Sequence, residues 1–155
     1  MSLFDRALAA SALSARQVQI EVTESASLAV VDEATRALQA LHARGAEVVL
    51  DDFGAACSSF DLIRRLPVRR LKIDRAFVSD LPERRDNAAI CEAVVGLARA
   101  LDLAVTAEGV ETEAQFEFLR RLGCASAQGY WIARPLDAAD ARARLAVEAD
   151  ARAAA

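Results

Sequence analysis

"VVLDDFG", residues 48–54, is the stretch on which the fold turns. Three apolar residues lead into two adjacent carboxylates, then an aromatic ring and a glycine. A buried strand that ends on paired negative charge needs compensation, because neighbouring carboxylates repel one another. Consecutive strand side chains also point to opposite faces. Asp51 and Asp52 can therefore serve one site only where the strand dissolves into a loop, and Phe53–Gly54 supplies such a break.

Working outward, similar apolar segments recur: "VQIEV" (18–22), "EVVLDD" (47–52), "RLKID" (70–74), "LAVTAE" (103–108) and "SAQGYWI" (126–132). They are rich in Val, Ile and Leu with little polar alternation, which suits parallel strands covered on both faces. Between them lie helical patterns. Residues 32–45 place Ala34, Leu38 and Leu41 on one face and stop at Gly45. Ser58 and Asp61 start a short helix that ends before Pro67. Residues 86–103 form a long helix, apolar on one side. Thr112 and Gln115 make a capping box for a helix closed by Gly123, and Asp137 starts a last Ala/Arg-rich helix. Strand and helix in alternation imply right-handed βαβ units. The choice narrows to a doubly wound sheet or a (β/α)8 barrel. No GxGxxG or GxxxxGK[ST] follows a strand, so a nucleotide-binding doubly wound sheet has little support. The reading is an α/β fold, a partial (β/α)8 barrel of about five parallel strands with flanking helices. Residues 1–148 form one module and 149–155 a frayed tail.

Composition restricts the function. A length of 155 residues with 54% apolar content supports one domain with its own core. No apolar run approaches the ~20 residues that cross a bilayer, and the opening residues do not resemble a signal peptide, so the segment reads as soluble, cytoplasmic and without membrane contact. A net charge of −4 argues against binding a nucleic-acid polymer. Cys57, Cys91 and Cys124 show neither a disulfide framework nor zinc spacing. The single histidine, His42, falls in a helix and has no triad partners nearby.

Polar residues instead collect at strand ends: Glu21 and Glu24, Asp51 and Asp52, Lys72 and Asp74, Glu108 and Glu111, and Gln128. In a parallel barrel these ends share one rim, where active sites are built. Carboxylate oxygens suit hard cations such as Mg²⁺ and Mn²⁺. Two such ions can clamp an in-line displacement at phosphorus, and Lys72 could stabilise developing charge. Plainer readings stand beside these. Glu24 fits a helix cap, Lys72 a snorkelling lysine, Gln128 a satisfied polar residue near a turn, Cys57 and Cys124 small fillers, and Trp131 core or interface.

Five segments, in order, resemble the motifs of the EAL-domain family, bacterial phosphodiesterases acting on cyclic di-GMP: "EVTES" (21–25), "DDFGAACSSF" (51–60), "LPVRRLKIDRAFV" (66–78), "AEGVET" (107–112) and "QGYW" (128–131). The likeness extends from about Phe4 to Leu145. It implies a (β/α)8-type barrel and metal-dependent hydrolysis of one phosphodiester of cyclic di-GMP to pGpG. By resemblance, Glu21, Asp51, Asp52 and Glu108 bind Mg²⁺ or Mn²⁺. Lys72, Glu108, Glu111 and Gln128 form the catalytic set, and Glu24 supports the loop after Asp52.

The chain departs from the family pattern in two ways. The E-A-L motif is absent, together with the first strands and their Glu and Asn ligands, and Ala56 and Cys57 replace the family's usual loop residues. The expectation is therefore a piece of a longer signalling protein, inactive or very slow alone, with open sheet edges that invite a homodimer or other self-association. A degenerate, non-catalytic cyclic di-GMP sensor or protein-interaction module is the alternative.

Overall fold

The computed structural model describes residues 3–23, 32–54 and 60–153. The elements are α1 (Leu3–Ser11), a 3-10 turn (Ala15–Gln17), β1 (Gln19–Thr23), α2 (Asp32–Ala43), β2 (Glu47–Phe53), α3 (Phe60–Arg65) and β3 (Val68–Ile73). They continue with α4 (Arg75–Val78), α5 (Arg85–Ala100), β4 (Ala104–Ala107), α6 (Glu113–Leu122), β5 (Ser126–Ala127) and α7 (Ala138–Ala153). The strands form one sheet in the order β1-β2-β3-β4-β5, and every pairing is parallel. A sequential order is that of a barrel wall; a doubly wound sheet reverses its order partway.

The sheet has two chemically different faces, which the strand sequences had not suggested. One carries Val48, Leu50, Leu71, Ile73, Val105 and Ala107, packed into a continuous core with Cys91, Val94, Val95 and Ala98 of α5 and Leu119 of α6. The other carries Gln19, Glu21, Glu47, Asp51, Arg70, Lys72, Thr106 and Ser126, which bond to one another across the strands. Period-two alternation is therefore present. It is masked in β2 because Val49, fully buried, continues the apolar run on the polar side.

Several local expectations are met. Thr112 and Gln115 make the reciprocal capping box of α6, and Gly123 closes that helix in a left-handed conformation. The Asp137 side chain accepts from the Ala139 and Asp140 amides at the start of α7. Cys124 is half-buried against the core, with burial pushing its thiol up to about 11, as expected of a filler. Ser58 and Cys57 lie outside the described residues.

Three expectations are corrected. In α2, Leu38 is buried and Leu41 half-buried, but Ala34 is exposed. The fifth strand is two residues long rather than seven. Gly129 ends it by close approach, since a Cβ there would fall on the Val110 backbone. The chain then turns through Tyr130–Ile132, with the Trp131 amide donating to the Val110 carbonyl at 3.0 Å. This turn leaves Trp131 47% exposed, so of the two readings, core and interface, the core one is ruled out.

Candidate metal centre at the strand ends

The break in β2 falls inside the strand, not after it. Leu50 pairs with Leu71 and Phe53 with Ile73, so Asp51 and Asp52 together oppose the single residue Lys72. This is a β-bulge. Asp52 absorbs it with a φ of 55°, a left-handed conformation that Asp tolerates better than most residues. The bulge rotates the second carboxylate out of strict alternation. Oxygens of Asp51, Asp52 and Glu108 then lie within 4.8 Å of one another. Glu108 reaches them because the β4 ladder runs one step past Ala107: its amide donates to the Ile73 carbonyl at 3.1 Å.

Lys72 supplies the positive charge. Its Nζ lies 2.6 Å from Glu108 Oε1, 2.9 Å from Glu21 Oε1 and 3.0 Å from Asp51 Oδ1. Its side chain is 8% exposed. Burial alone would push the Lys72 pKa down, but the carboxylates of Glu108, Glu21 and Asp51 outweigh it and hold the pKa above the ordinary lysine value. Asp52 is shifted the other way for an acid. Burial and then the charges of Asp51, Asp74 and Glu108 raise its pKa, and Asp74 lies near enough to share a hydrogen bond with it.

The donor set fits a hard divalent cation. All the candidate ligand atoms are carboxylate oxygens, as Mg²⁺ and Mn²⁺ prefer. Asp51 Oδ1 is buried, with the Lys72 ammonium 3.0 Å away as its charge partner.

The other site residues expected from sequence are less concentrated. Glu21 joins through Lys72 rather than through the three-carboxylate cluster. Glu111 is exposed and bound to Arg75, whose Nη2 donates to Oε1 at 2.8 Å. The Arg75 stem lies over Gly109, whose φ of 69° and lack of a side chain admit it. Gln128 stands at the rim, lining a cleft of about 440 Å³ with Glu21 and Lys72 and a neighbouring hollow with Glu108 and Glu111. Glu24 and the Ala56–Cys57 loop lie outside the described residues.

Asp74 does more than its place at a strand end suggested. Asp74 caps α4, accepting from the Ala76 amide at 2.7 Å, yet also stands against Asp52. Lys72, already in the expected catalytic set, stands out by composition as well: of 19 Lys and Arg residues it is the one lysine. A chain that uses arginine everywhere else places a compact ammonium here, where a planar guanidinium could not sit among three carboxylates in the same way.

A sequentially ordered parallel α/β sheet with carboxylates gathered round a lysine at its strand ends defines a class: barrel-type α/β proteins with an acidic rim. The chain belongs to the EAL domain family, which it matches over residues 1–135. It is 49% identical over 119 residues to the Pseudomonas aeruginosa bifunctional diguanylate cyclase/cyclic di-GMP phosphodiesterase MucR, covering 77% of this chain and 17% of that protein. It is 41% identical over 130 residues to the cyclic di-GMP phosphodiesterase NbdA of the same organism, covering 84% and 17%. The chain thus spans about a sixth of the length of the curated relatives it matches. Among solved structures, the MucR phosphodiesterase in complex with c-di-GMP superposes with a TM-score of 0.80 at 45% identity, over 88% of this chain and 55% of that one. The EAL domain of Mycobacterium smegmatis DcpA gives 0.83 at 37% identity, over 90% and 62%. A manganese/cy-diGMP complex of Klebsiella pneumoniae BlrP1 gives 0.75 at 34% identity, over 82% and 32%.

Proposed function

We propose that this chain is an EAL-type module of cyclic di-GMP signalling. Its acidic rim holds Mg²⁺ or Mn²⁺, and the whole protein hydrolyses one phosphodiester of cyclic di-GMP to pGpG. The observation that carries this reading is the convergence of Asp51, Asp52 and Glu108 within 4.8 Å beside Lys72. The phosphodiesterase names of MucR and NbdA and the c-di-GMP and manganese complexes of related EAL structures support it.

A bound divalent cation would polarise a phosphoryl oxygen and acidify a water. The chain's own residues do the rest. Asp51, Asp52 and Glu108, with Glu21 at the margin, hold the cation. Lys72, held as an ammonium among three carboxylates, can donate to an oxygen on which charge develops. Glu108, 2.6 Å from that ammonium, serves either as a cation ligand or as the base toward an attacking water. Glu111, tied to Arg75, steadies the loop after β4, and Gln128 orients ligand at the rim.

The isolated polypeptide is expected to be inactive or very slow. Asp51, Asp52 and Glu108 can serve one ion, whereas a pair of ions clamping a phosphodiester needs further ligands. Calorimetry with each metal and with cyclic di-GMP, paired with product chromatography, tests this. Mn²⁺ binding without measurable pGpG is the expected result. Formation of pGpG that Glu108→Ala abolishes would overturn the expectation of inactivity, and absence of Mn²⁺ binding would overturn the metal reading.

A further inference from the structure

Below the acidic rim a second polar layer crosses the sheet, one side chain from each strand. Gln19 Nε2 donates to Glu47 Oε2 at 2.6 Å. Arg70 Nε donates to Glu47 Oε1 at 3.1 Å, and its Nη1 donates to Thr106 Oγ1 at 3.2 Å and Ser126 Oγ at 3.0 Å. The two hydroxyls are themselves 2.7 Å apart. β1 to β5 are thus joined by side chains centred on one guanidinium. The layers are in step: Gln19 precedes Glu21 by two residues, Arg70 precedes Lys72 by two, Thr106 precedes Glu108 by two, and Glu47 precedes Asp51 by four. On a strand, even spacings keep each pair on one face.

A cleft of about 440 Å³ is bordered by Gln19, Glu21, Arg70, Lys72, Thr106 and Ser126, so the two layers line one cavity. The Lys72 ammonium spans from Glu21 on β1 to Glu108 beyond β4, and that span changes with any splaying of the strands between. Backbone ladders set strand spacing but leave the sheet free to flex in twist. A guanidinium bonded to β2, β4 and β5 at once removes that freedom directly beneath the lysine. We propose that Arg70 is a positioning residue for Lys72, holding the ammonium and the Glu21, Asp51 and Glu108 carboxylates in register through the Gln19–Glu47–Arg70–Thr106–Ser126 layer. Lysine at position 70 would keep the charge but lose the fork that engages three acceptors together.

Because Lys72 is the one lysine, protein labelled with ¹⁵N-lysine reports on it alone. In metal-free wild type the ammonium, held by three carboxylates, is expected to give one sharp, slowly exchanging signal. Arg70→Met, studied well below its melting temperature, is expected to broaden or abolish that signal. It should also weaken Mn²⁺ binding by up to about 10-fold, the low end of the range for residues that bond metal ligands directly, since Arg70 acts one layer below them, and Arg70→Lys should recover only part of both. A lower melting temperature with the Lys72 signal and Mn²⁺ affinity unchanged would make Arg70 merely structural and overturn the proposal. If Arg70→Met fails to fold, the milder Thr106→Val/Ser126→Ala variant keeps the Arg70–Glu47 pair and should broaden the signal to a lesser degree; an unchanged signal there overturns the proposal equally. The Mn²⁺ arm rests on the metal reading above and the resonance arm does not. A wild type that binds no Mn²⁺ therefore sinks that reading while the signal still decides the role of Arg70.

Discussion

Lys72 and Asp52 are adjacent in space but carry opposite energetic signs. Lys72 neutralises Glu21, Asp51 and Glu108, and Lys72→Met would leave them facing one another. We expect a loss of about 3 kcal/mol at pH 7 by urea unfolding, the lower end for breaking a buried ion pair because its carboxylates keep some solvent. With its folded pKa raised, Lys72 contributes stability that is fully present below its ordinary value of 10.5 and is lost as pH rises through the higher folded value. Wild type should therefore show an alkaline loss that the variant lacks. Asp52 is the reverse case. Its raised folded pKa means that the ionised form costs stability at neutral pH, and protonation relieves that cost. Asp52→Asn removes the charge and suits the φ of 55°. The metal-free variant should melt a few degrees higher at pH 7, by calorimetry, with the electrostatic part of the gain fading in acid. Its Mn²⁺ binding should weaken.

At the scale of the element, the loop from β4 to α6 is held by one buried amide. Gln115 is 4% exposed. Its Oε1 accepts from the Glu111 amide at 2.8 Å and the Thr112 amide at 3.0 Å, and its Nε2 donates to the Ser79 carbonyl at 2.8 Å. The capping box thus fastens α6 to the turn after α4 and sets the direction of Glu111. Gln115→Ala strands three backbone groups and should cost about 2–4 kcal/mol, each lost partner being worth about 1–3 before relaxation. Thr112→Ala loses a cap alone and should cost about 1 kcal/mol. Urea midpoints of the two variants would compare these losses, and equal values would refute the anchoring role. The box was legible in the sequence because it spans three residues. The bond to Ser79, 36 positions away, was not.

Across the whole molecule, the sheet among the described residues ends at β1 on one side and at two-residue β5 on the other. Strand edges left without a neighbour recruit other chains. We therefore expect concentration-dependent self-association in size-exclusion chromatography with light scattering, and a clean monomer at all concentrations would refute it. No helix among the described residues is long and apolar enough to cross a membrane.

The sequence by itself determined the order of strands and helices, the caps at Thr112 and Asp137, and the collection of acids at strand ends. These follow from local periodicity and from side-chain bonds over a few residues. The tertiary structure alone decided how oxygens of Asp51, Asp52 and Glu108 come within 4.8 Å of one another, that Lys72 has three partners, and that Glu111 answers to Arg75 instead of the acidic cluster. Each depends on inter-strand register, on the bulge opposite Lys72, or on loops brought together by the sheet. Register arises from packing between segments distant along the chain, so no single segment encodes it.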